Sequence, residues 1–169
     1  MNKLQKIVGI MAVTEEGVIG KNNSLPWNYP EELKHFRQIT HEHTIVMGRK
    51  TYDSIPRNSL SNKKLIVFSR SSKTSDNNII FVKSLHEYFD IINHLGESEK
   101  IFMVGGAEIA HLFLRHKLIS SFLLTRIHQL YSGDTYLDLK YFEGWSENIL
   151  TSCPDYTIFQ LINPRRDLI

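Results

Sequence analysis

The sequence predicts one α/β domain, in which helices cover both faces of a mostly parallel β-sheet. Apolar runs of strand length alternate with amphipathic helical segments along the chain. Most of these runs are apolar at nearly every position, as expected of parallel strands that are buried on both faces. The 169 residues, 41% hydrophobic and 22% charged, suit a single globular domain over residues 1–169.

The strands are predicted from short apolar runs bounded by polar or glycine-containing turns. In chain order they cover residues 6–13, 44–47, 64–70, 79–82, 100–106, 121–127 and 156–162. Apolar residues three and four positions apart predict helices over residues 30–40, 50–55, 84–94 and 107–117. Pro30 suits the first turn of its helix, and Ser84 suits an N-cap. The last strand is expected to pair antiparallel.

Composition and charge argue against several classes of protein. The net charge is only +2 and no run of lysine and arginine occurs, so no nucleic-acid partner is expected. The apolar N-terminal run is interrupted by Gly9 and gives way to Glu15, which favours a buried strand over a signal peptide. No stretch is long enough to span a membrane, so no membrane partner is expected.

The cysteine and histidine content points to a cytoplasmic protein without a metal site. Cys153 is the only cysteine, so an internal disulfide is impossible, and this suits a reducing compartment. The eight histidines are scattered without the spacing of metal ligands. We expect a monomer that binds a small-molecule substrate.

Glycines and cations follow three of the predicted strands, at the edge of the sheet where ligands of such folds bind. These residues are Gly48, Arg49, Lys50 and Thr51; Ser69 and Arg70; and Gly105, Gly106 and Ala107. Free N–H groups at a helix start suit a pyrophosphate, and arginine suits a further phosphate such as the 2′-phosphate of NADP. Each turn alone could be only a tight connection. Together they favour a nucleotide site, although the G-x-G-x-x-G fingerprint is absent from the sequence.

Glu32 lies on the apolar face of the first predicted helix. Helical spacing places it with Leu33, Phe36 and Ile39. One interpretation is an acid in the first turn that satisfies free N–H groups and the helix dipole. The other is a desolvated carboxyl with a raised pKa, for which a ligand with paired N–H donors would be a partner. Trp27 likewise suits either a core aromatic or a pocket residue that holds a water through its indole N–H.

Five segments together resemble the dihydrofolate reductase family. They are GVIGKNNSLPWNYPEELKHF, TIVMGRKTYDSIP, LIVFSR, FMVGGAEI and LLTRI followed by GDTYL. They occur in the family's order and spacing over nearly the whole chain. The resemblance implies an eight-stranded, mostly parallel mixed sheet with helices on both faces and an antiparallel C-terminal strand. It also implies hydride transfer from NADPH to C6 of dihydrofolate, with protonation at N5.

The resemblance assigns roles to individual residues. Glu32 would bind N3 and the 2-amino group of the pterin and help to route a proton to N5, Trp27 would hold the water involved, and Thr125 would hydrogen-bond the carboxylate. The residues implied to line the substrate are Val8, Leu33, Phe36, Ile55, Leu60, Lys63 and Val104. Those implied to contact NADPH are Ile10, Ile19, Gly20, Gly48, Arg49, Lys50, Thr51, Ser69, Arg70, Lys83, Gly105, Gly106, Ala107, Glu108 and Ile109.

Two departures from the family pattern affect binding. Lys63 stands where the family usually has an arginine that pairs with the α-carboxylate of the substrate, and lysine lacks the planar fork. Glu108 replaces a basic residue and should weaken cofactor binding slightly. Lys63 therefore leaves open a related reductase that acts on a tail-less dihydropterin or a ribityl-pyrimidine. A non-catalytic NADPH-binding or regulatory module that keeps the fold is a separate alternative.

Overall fold

The computed structural model describes residues 6–60, 63–71, 75, 78–96 and 100–164. The strands are β1 (Ile7–Thr14), β2 (Val18–Gly20), β3 (Thr44–Gly48), β4 (Lys64–Phe68), β5 (Ile79–Val82), β6 (Ile101–Met103), β7 (Ile119–Ile127), β8 (Thr135–Tyr136), β9 (Ser146–Ser152) and β10 (Tyr156–Ile162). The α-helices are α1 (Pro30–Thr40), α2 (Arg49–Ser54), α3 (Leu85–Ile92) and α4 (Ala107–Arg115). Short 3₁₀ helices cover Arg57–Leu60 and Leu139–Phe142.

Eight strands form one sheet in the order β5-β4-β3-β6-β1-β7-β10-β9. Neighbours from β5 to β7 pair in parallel, whereas β10 pairs antiparallel with both β7 and β9. Only β10 therefore runs against the other seven, and the predicted mixed sheet is confirmed. Because β3, β4, β5 and β6 are parallel, the residues that follow them meet at one edge. We call this end of the sheet, formed by the residues that follow the carboxyl ends of the strands, the cofactor edge, because the cofactor is predicted to bind there. It comprises residues 48–51, 69–71, 83 and 104–109.

Side chains of β1 alternate between two hydrophobic clusters, one on each face of the sheet. Met11 and Val13 belong to the cluster that contains Phe113 of α4. Ile10 belongs to the opposite cluster, against which Phe36 of α1 packs. Each sheet face is thus covered by helices, and α1 lies on the face to which Ile10 points.

The structure differs from the prediction where the apolar signal is weak. β9 was missed because all seven of its residues are exposed, so it carries no apolar run. β6 ends at Met103, earlier than predicted, because Gly105 has a φ of +96° and takes the chain out of the ladder. The short strands β2 and β8 form a separate two-stranded sheet, also missed. Among the described residues, no helix is long and apolar enough to cross a membrane.

Candidate active site

Glu32 is buried in the first turn of α1 and points toward the sheet. Pro30 opens the helix, and Glu32 is only 8% exposed. Its Oε1 accepts a hydrogen bond from Thr125 Oγ1 of β7 at 3.4 Å. A capping acid would instead accept from N–H groups of its own helix. The interpretation as an inward-facing carboxyl is therefore favoured over the helix-cap interpretation.

The surroundings of Glu32 favour its neutral form. Burial raises the pKa of this carboxyl, and the hydrogen bond from Thr125 partly offsets that effect by lowering it. A carboxylate offers about four lone-pair sites, so one hydrogen bond at 3.4 Å leaves acceptor capacity. A ligand that presents N–H donors to this carboxyl would stabilise its charged form.

Trp27 combines both of the interpretations that its sequence position allowed. Its ring is 6% exposed, packs 5.6 Å from the ring of Tyr131, and shares a cluster with Ile127 and Tyr156. Its Nε1 is also buried and has no hydrogen-bond partner among the described residues. A buried indole N–H usually has a partner, so this donor suits a water or a ligand beside the site.

An apolar wall faces α1 on the side of the sheet that carries Thr125. Most of the predicted substrate residues meet in this one cluster, together with Ile10 from the cofactor set: Val8, Ile10, Phe36, Ile55, Leu60 and Val104. Leu33, beside Glu32 on α1, is half-buried. We call this group, with Glu32 and Thr125, the substrate wall. The structure thus brings five of the seven predicted substrate residues into one cluster, and Leu33 and Lys63 lie outside it.

Lys63 is buried just before β4 and faces inward. Its Nζ donates a hydrogen bond to the carbonyl oxygen of Ser59 at 2.6 Å, and Arg37 Nε donates to Ser59 Oγ at 3.2 Å. Burial, and then the positive charge of Arg37, lower the pKa of Lys63. Arg57 instead lies 4.2 Å above the ring of Tyr52. Arg37, rather than Arg57, therefore lies near Lys63, because both Arg37 and Lys63 donate to Ser59. No sequence pattern had indicated a role for Ser59.

Glycines at the cofactor edge allow close approach of the backbone. Gly48 N–H donates to the carbonyl of Gly105 at 2.8 Å, which joins the ends of β3 and β6. A Cβ on Gly106 would lie 3.1 Å from Thr51 Oγ1. Gly106 is the N-cap of α4 and supplies no side-chain cap, so the N–H groups of the first turn remain suited to an anion. Ile109 is buried, and Ala107 packs against the same core cluster.

The cations predicted at this edge are exposed or half-exposed, and two of them already hold carboxylates. Arg49 Nε donates to both oxygens of Asp53, at 3.1 and 3.0 Å. Arg70 forms an ion pair with Glu108 at 2.5 Å. The remaining predicted residues differ in exposure: Ser69 is buried and bonds to Ser71, whereas Lys50 and Lys83 are exposed.

Strand β2, which carries Ile19 and Gly20, is fixed to the segment after β7. The carbonyl of Gly20 accepts from the N–H of Asp134, and Asp134 Oδ2 accepts from the N–H of Asn22 at 2.9 Å. Hydrogen bonds from Asn22 and Thr135 lower the pKa of Asp134. Asp134 was not predicted as a site residue, although it lies in the GDTYL motif.

The residues at the cofactor edge fit a dinucleotide phosphate. The space that a Cβ on Gly106 would fill, the uncapped start of α4 and the arginine at the end of β4 supply close approach, N–H donors and charge. Among the described residues, no group of three His, Cys, Asp or Glu could hold a metal ion. The fold and this site are those expected of an α/β nucleotide-binding protein with a buried carboxyl near the cofactor edge.

Comparison with known proteins identifies the family. The family model described as dihydrofolate reductase matches residues 6–153. The chain is 36% identical to dihydrofolate reductase of Bacillus subtilis (strain 168) over 126 residues, 74% of this chain and 71% of that protein. It is 33% identical to that of Ureaplasma parvum serovar 3 over 132 residues, 78% of this chain and 81% of that protein. The chain belongs to the dihydrofolate reductase family.

A solved structure supports the fold independently. Dihydrofolate reductase from Enterococcus faecalis, complexed with NADP(H) and RAB-propyl, has a TM-score of 0.73 to this chain. The match is 23% identical in sequence and covers 92% of this chain and 94% of that one. At this level of identity the comparison concerns the fold, and the predicted dihydrofolate reductase fold is confirmed.

Proposed function

We propose that this chain reduces 7,8-dihydrofolate to 5,6,7,8-tetrahydrofolate with NADPH. The observation that carries the proposal is the buried carboxyl of Glu32, hydrogen-bonded to Thr125, on the sheet face beside the cofactor edge. A pterin ring presents adjacent N–H donors at N3 and the 2-amino group, which match the two oxygens of one carboxylate. Membership of the dihydrofolate reductase family supports the same reaction.

When bound, NADPH would supply the hydride for C6 of the C6–N5 double bond of the substrate, and N5 would take up a proton. The substrate wall would hold the pterin flat against apolar side chains such as Phe36 and Val104, and exclude bulk water. Glu32, with its raised pKa, would bind the pterin edge and help to deliver the proton through water. Nε1 of Trp27, which has no hydrogen-bond partner in the described part of the chain, would donate to that water and hold it in place.

The cofactor edge would bind the phosphates of NADPH. The N–H groups of the first turn of α4 would donate to the pyrophosphate, with Gly106 allowing its approach. Arg70 and the buried Ser69 would bind the 2′-phosphate, and Arg49 and Lys50 would add positive charge. The family resemblance implies that Ile10 and Ile19 would border the nicotinamide, and both are buried apolar residues.

The direct test follows NADPH absorbance when dihydrofolate is added to the purified chain. We expect oxidation of NADPH that depends on both protein and dihydrofolate. A reaction without dihydrofolate and one with heat-unfolded protein are the controls. No oxidation by folded protein that binds NADPH would contradict the proposal and favour a non-catalytic binding module.

A tail-less dihydropterin, or a ribityl-pyrimidine, is the alternative substrate, and the position of Lys63 supports it. Its Nζ is bound to Ser59 within the protein, so a substrate carboxylate would have to compete for it. Comparing kcat/KM for dihydrofolate and for tail-less dihydropterin separates the two functions. A clear preference for dihydrofolate is expected, whereas equal values for both would favour the alternative.

We also propose that the chain acts as one domain and as a cytoplasmic monomer. The continuous sheet, in which β1 is joined through β7 to β10, supports one domain. The single cysteine supports a reducing compartment. Light scattering during size-exclusion chromatography, with and without NADPH, tests the monomer. A molar mass twice that of one chain would contradict it.

A further inference from the structure

Two charged side chains meet at the cofactor edge from the ends of different strands. Arg70 follows β4 and Glu108 lies in the first turn of α4, which follows β6. In the sheet, β3 lies between these two strands, so the ion pair extends across the end of β3 at Gly48. Arg70 Nη2 donates to Glu108 Oε1 at 2.5 Å, and the side chains are 90% and 76% exposed.

The guanidinium of Arg70 would attract a phosphate, whereas the carboxylate of Glu108 would compete with a phosphate for the guanidinium. Arg70 is the cation that suits the 2′-phosphate of NADPH, because a guanidinium pairs with phosphate in a bidentate way. Glu108 Oε1 accepts from Nη2 of this guanidinium, and a carboxylate is also a favoured partner of arginine. Glu108 lies in the first turn of α4, where the helix dipole favours a negatively charged group. The protein therefore carries its own anion at the place where the cofactor's extra phosphate would bind.

We propose that Glu108 sets the preference between NADPH and NADH by competing with the 2′-phosphate for Arg70. The inference rests on the proposed function of this edge as the NADPH site. Glu108 acts through Arg70, so it is a specificity-determining residue and not a catalytic one. A 2′-phosphate that pairs with Arg70 through Nη2 must displace the carboxylate of Glu108, whereas binding of NADH leaves the ion pair intact. The ion pair thus weakens the binding of NADPH but not of NADH, and it reduces the difference in affinity between the two cofactors.

The expected change in NADPH affinity is small because the ion pair between Arg70 and Glu108 is exposed to solvent. Exposed ion pairs are weak and screened by salt, so losing the pair should change NADPH affinity only about two- to fivefold. We expect Glu108→Gln to lower Kd for NADPH by this factor and to leave Kd for NADH unchanged. Fluorescence titration with each cofactor measures both values without turnover. This readout remains valid even if dihydrofolate is not reduced, so failure here and failure of the proposed function are distinguishable.

A double-mutant cycle tests whether the effect passes through Arg70. In an Arg70→Gln background, Glu108→Gln should have no effect on NADPH affinity, because the competed cation is gone. Glu147→Gln is the matched control. Glu147 pairs with Arg126 at 3.9 Å, is also exposed, and lies on β9, the edge strand farthest from β5 in the sheet. This variant should leave both cofactor affinities unchanged, and thermal melting should show that every variant is folded.

Three outcomes would overturn the inference. Equal tightening of NADPH and NADH would mean that Glu108 repels the pyrophosphate directly. A gain in NADPH affinity by Glu108→Gln that persists in the Arg70→Gln background would mean that Glu108 acts on the cofactor directly and not through Arg70. Weaker NADPH binding by Glu108→Gln would mean that the carboxylate holds Arg70 in a productive position and does not compete with the phosphate.

Discussion

The substrate wall and the cofactor edge hold their charges in opposite environments. On the substrate wall, Glu32 is 8% exposed, and burial raises its pKa. At the cofactor edge, the side chain of Arg70 is 90% exposed and paired with a carboxylate, as Arg49 is with Asp53. The two regions adjoin on one sheet, yet one ionisable group is desolvated and the others are in contact with water.

This difference indicates two ways of using charge for binding. A desolvated carboxyl interacts strongly with a ligand that replaces its lost water, and salt affects it little. Exposed cations attract a multiply charged ligand from solution, but each contributes little and is screened. The substrate wall should therefore control the chemical step through few residues. The cofactor edge should control affinity through many weak contributions.

The largest expected effect comes from Glu32→Gln. The amide keeps the size of the side chain but can neither carry the charge nor pass on a proton. We expect hydride transfer to dihydrofolate, measured by single-turnover stopped flow, to fall by about 10²–10³, while Kd for NADPH changes less than about twofold. Glu31→Gln is the matched control, because Glu31 is the exposed neighbour on the same helix. A comparable loss of NADPH affinity would remove the distinction between the two regions.

The salt dependence of ligand affinity should also differ between the substrate wall and the cofactor edge. We expect Kd for NADPH to rise about tenfold between roughly 0.05 M and 0.5 M salt, because exposed charges are screened. Kd for an uncharged tail-less dihydropterin, which would contact Glu32, should change less than about twofold over that range. Titrations of each ligand at constant pH measure both dependences. Equal salt sensitivity would show that the carboxyl of Glu32 is not effectively desolvated.

The fold could be predicted from the sequence where burial leaves an apolar run. All four residues Thr44–Met47 are buried, and the strand was predicted there. β9, by contrast, joins the sheet by pairing with β10, and its exposed residues carry no apolar signal. Strand ends such as Met103 depend on backbone pairing in three dimensions, which side-chain patterns report poorly.

The site could be predicted in part, and the remainder depends on distant contacts. Helical spacing placed Glu32 on an apolar face, but its bond to Thr125 joins residues 93 positions apart. Ser59 binds Lys63 through its backbone carbonyl, which any residue type could supply. The ion pair of Arg70 with Glu108 arises because β4 and β6 both border β3, a fact of topology. The roles of individual residues remain predictions.

Lys63→Arg tests whether the edge of the substrate wall can be improved. The planar guanidinium could pair with a carboxylate in a bidentate way, which the ammonium of lysine cannot. We expect KM for dihydrofolate to fall about fivefold, a gain of about 1 kcal/mol. KM for tail-less dihydropterin is the internal control and should not change. A parallel change for both substrates would show that the tail carboxylate does not reach residue 63.

Glu32 should also affect stability in a pH-dependent way. Because burial raises its pKa, the folded chain holds this proton more tightly than the unfolded chain does. The resulting stabilisation is present below the ordinary pKa of 4.5 and is lost as pH rises through the folded pKa. We expect Glu32→Gln to be more stable than the unchanged chain at pH 8 by about 1 kcal/mol, with the difference shrinking toward pH 4. Urea unfolding at several pH values measures this.

A stability difference that is independent of pH would contradict the assignment. It would mean that the amide alters packing and does not relieve a desolvated charge. Glu31→Gln again serves as the control, since an exposed glutamate should leave the free energy of unfolding nearly unchanged at every pH. The comparison with the hydride-transfer result is informative, because the same substitution should impair chemistry and stabilise the fold.

The smallest expected effect concerns Thr125, whose hydroxyl lowers the pKa that burial raises. Thr125→Val removes the hydrogen bond at 3.4 Å but keeps the branched shape. The pKa of Glu32 should then rise further, so the pH at which hydride transfer falls off should move upward. The plateau rate should decrease about threefold, as expected for the loss of one weak hydrogen bond. Thr125→Ser keeps the hydroxyl and should retain the original midpoint. A midpoint that moves downward, or equal behaviour of the valine and serine variants, would show that Thr125 does not act on the carboxyl of Glu32.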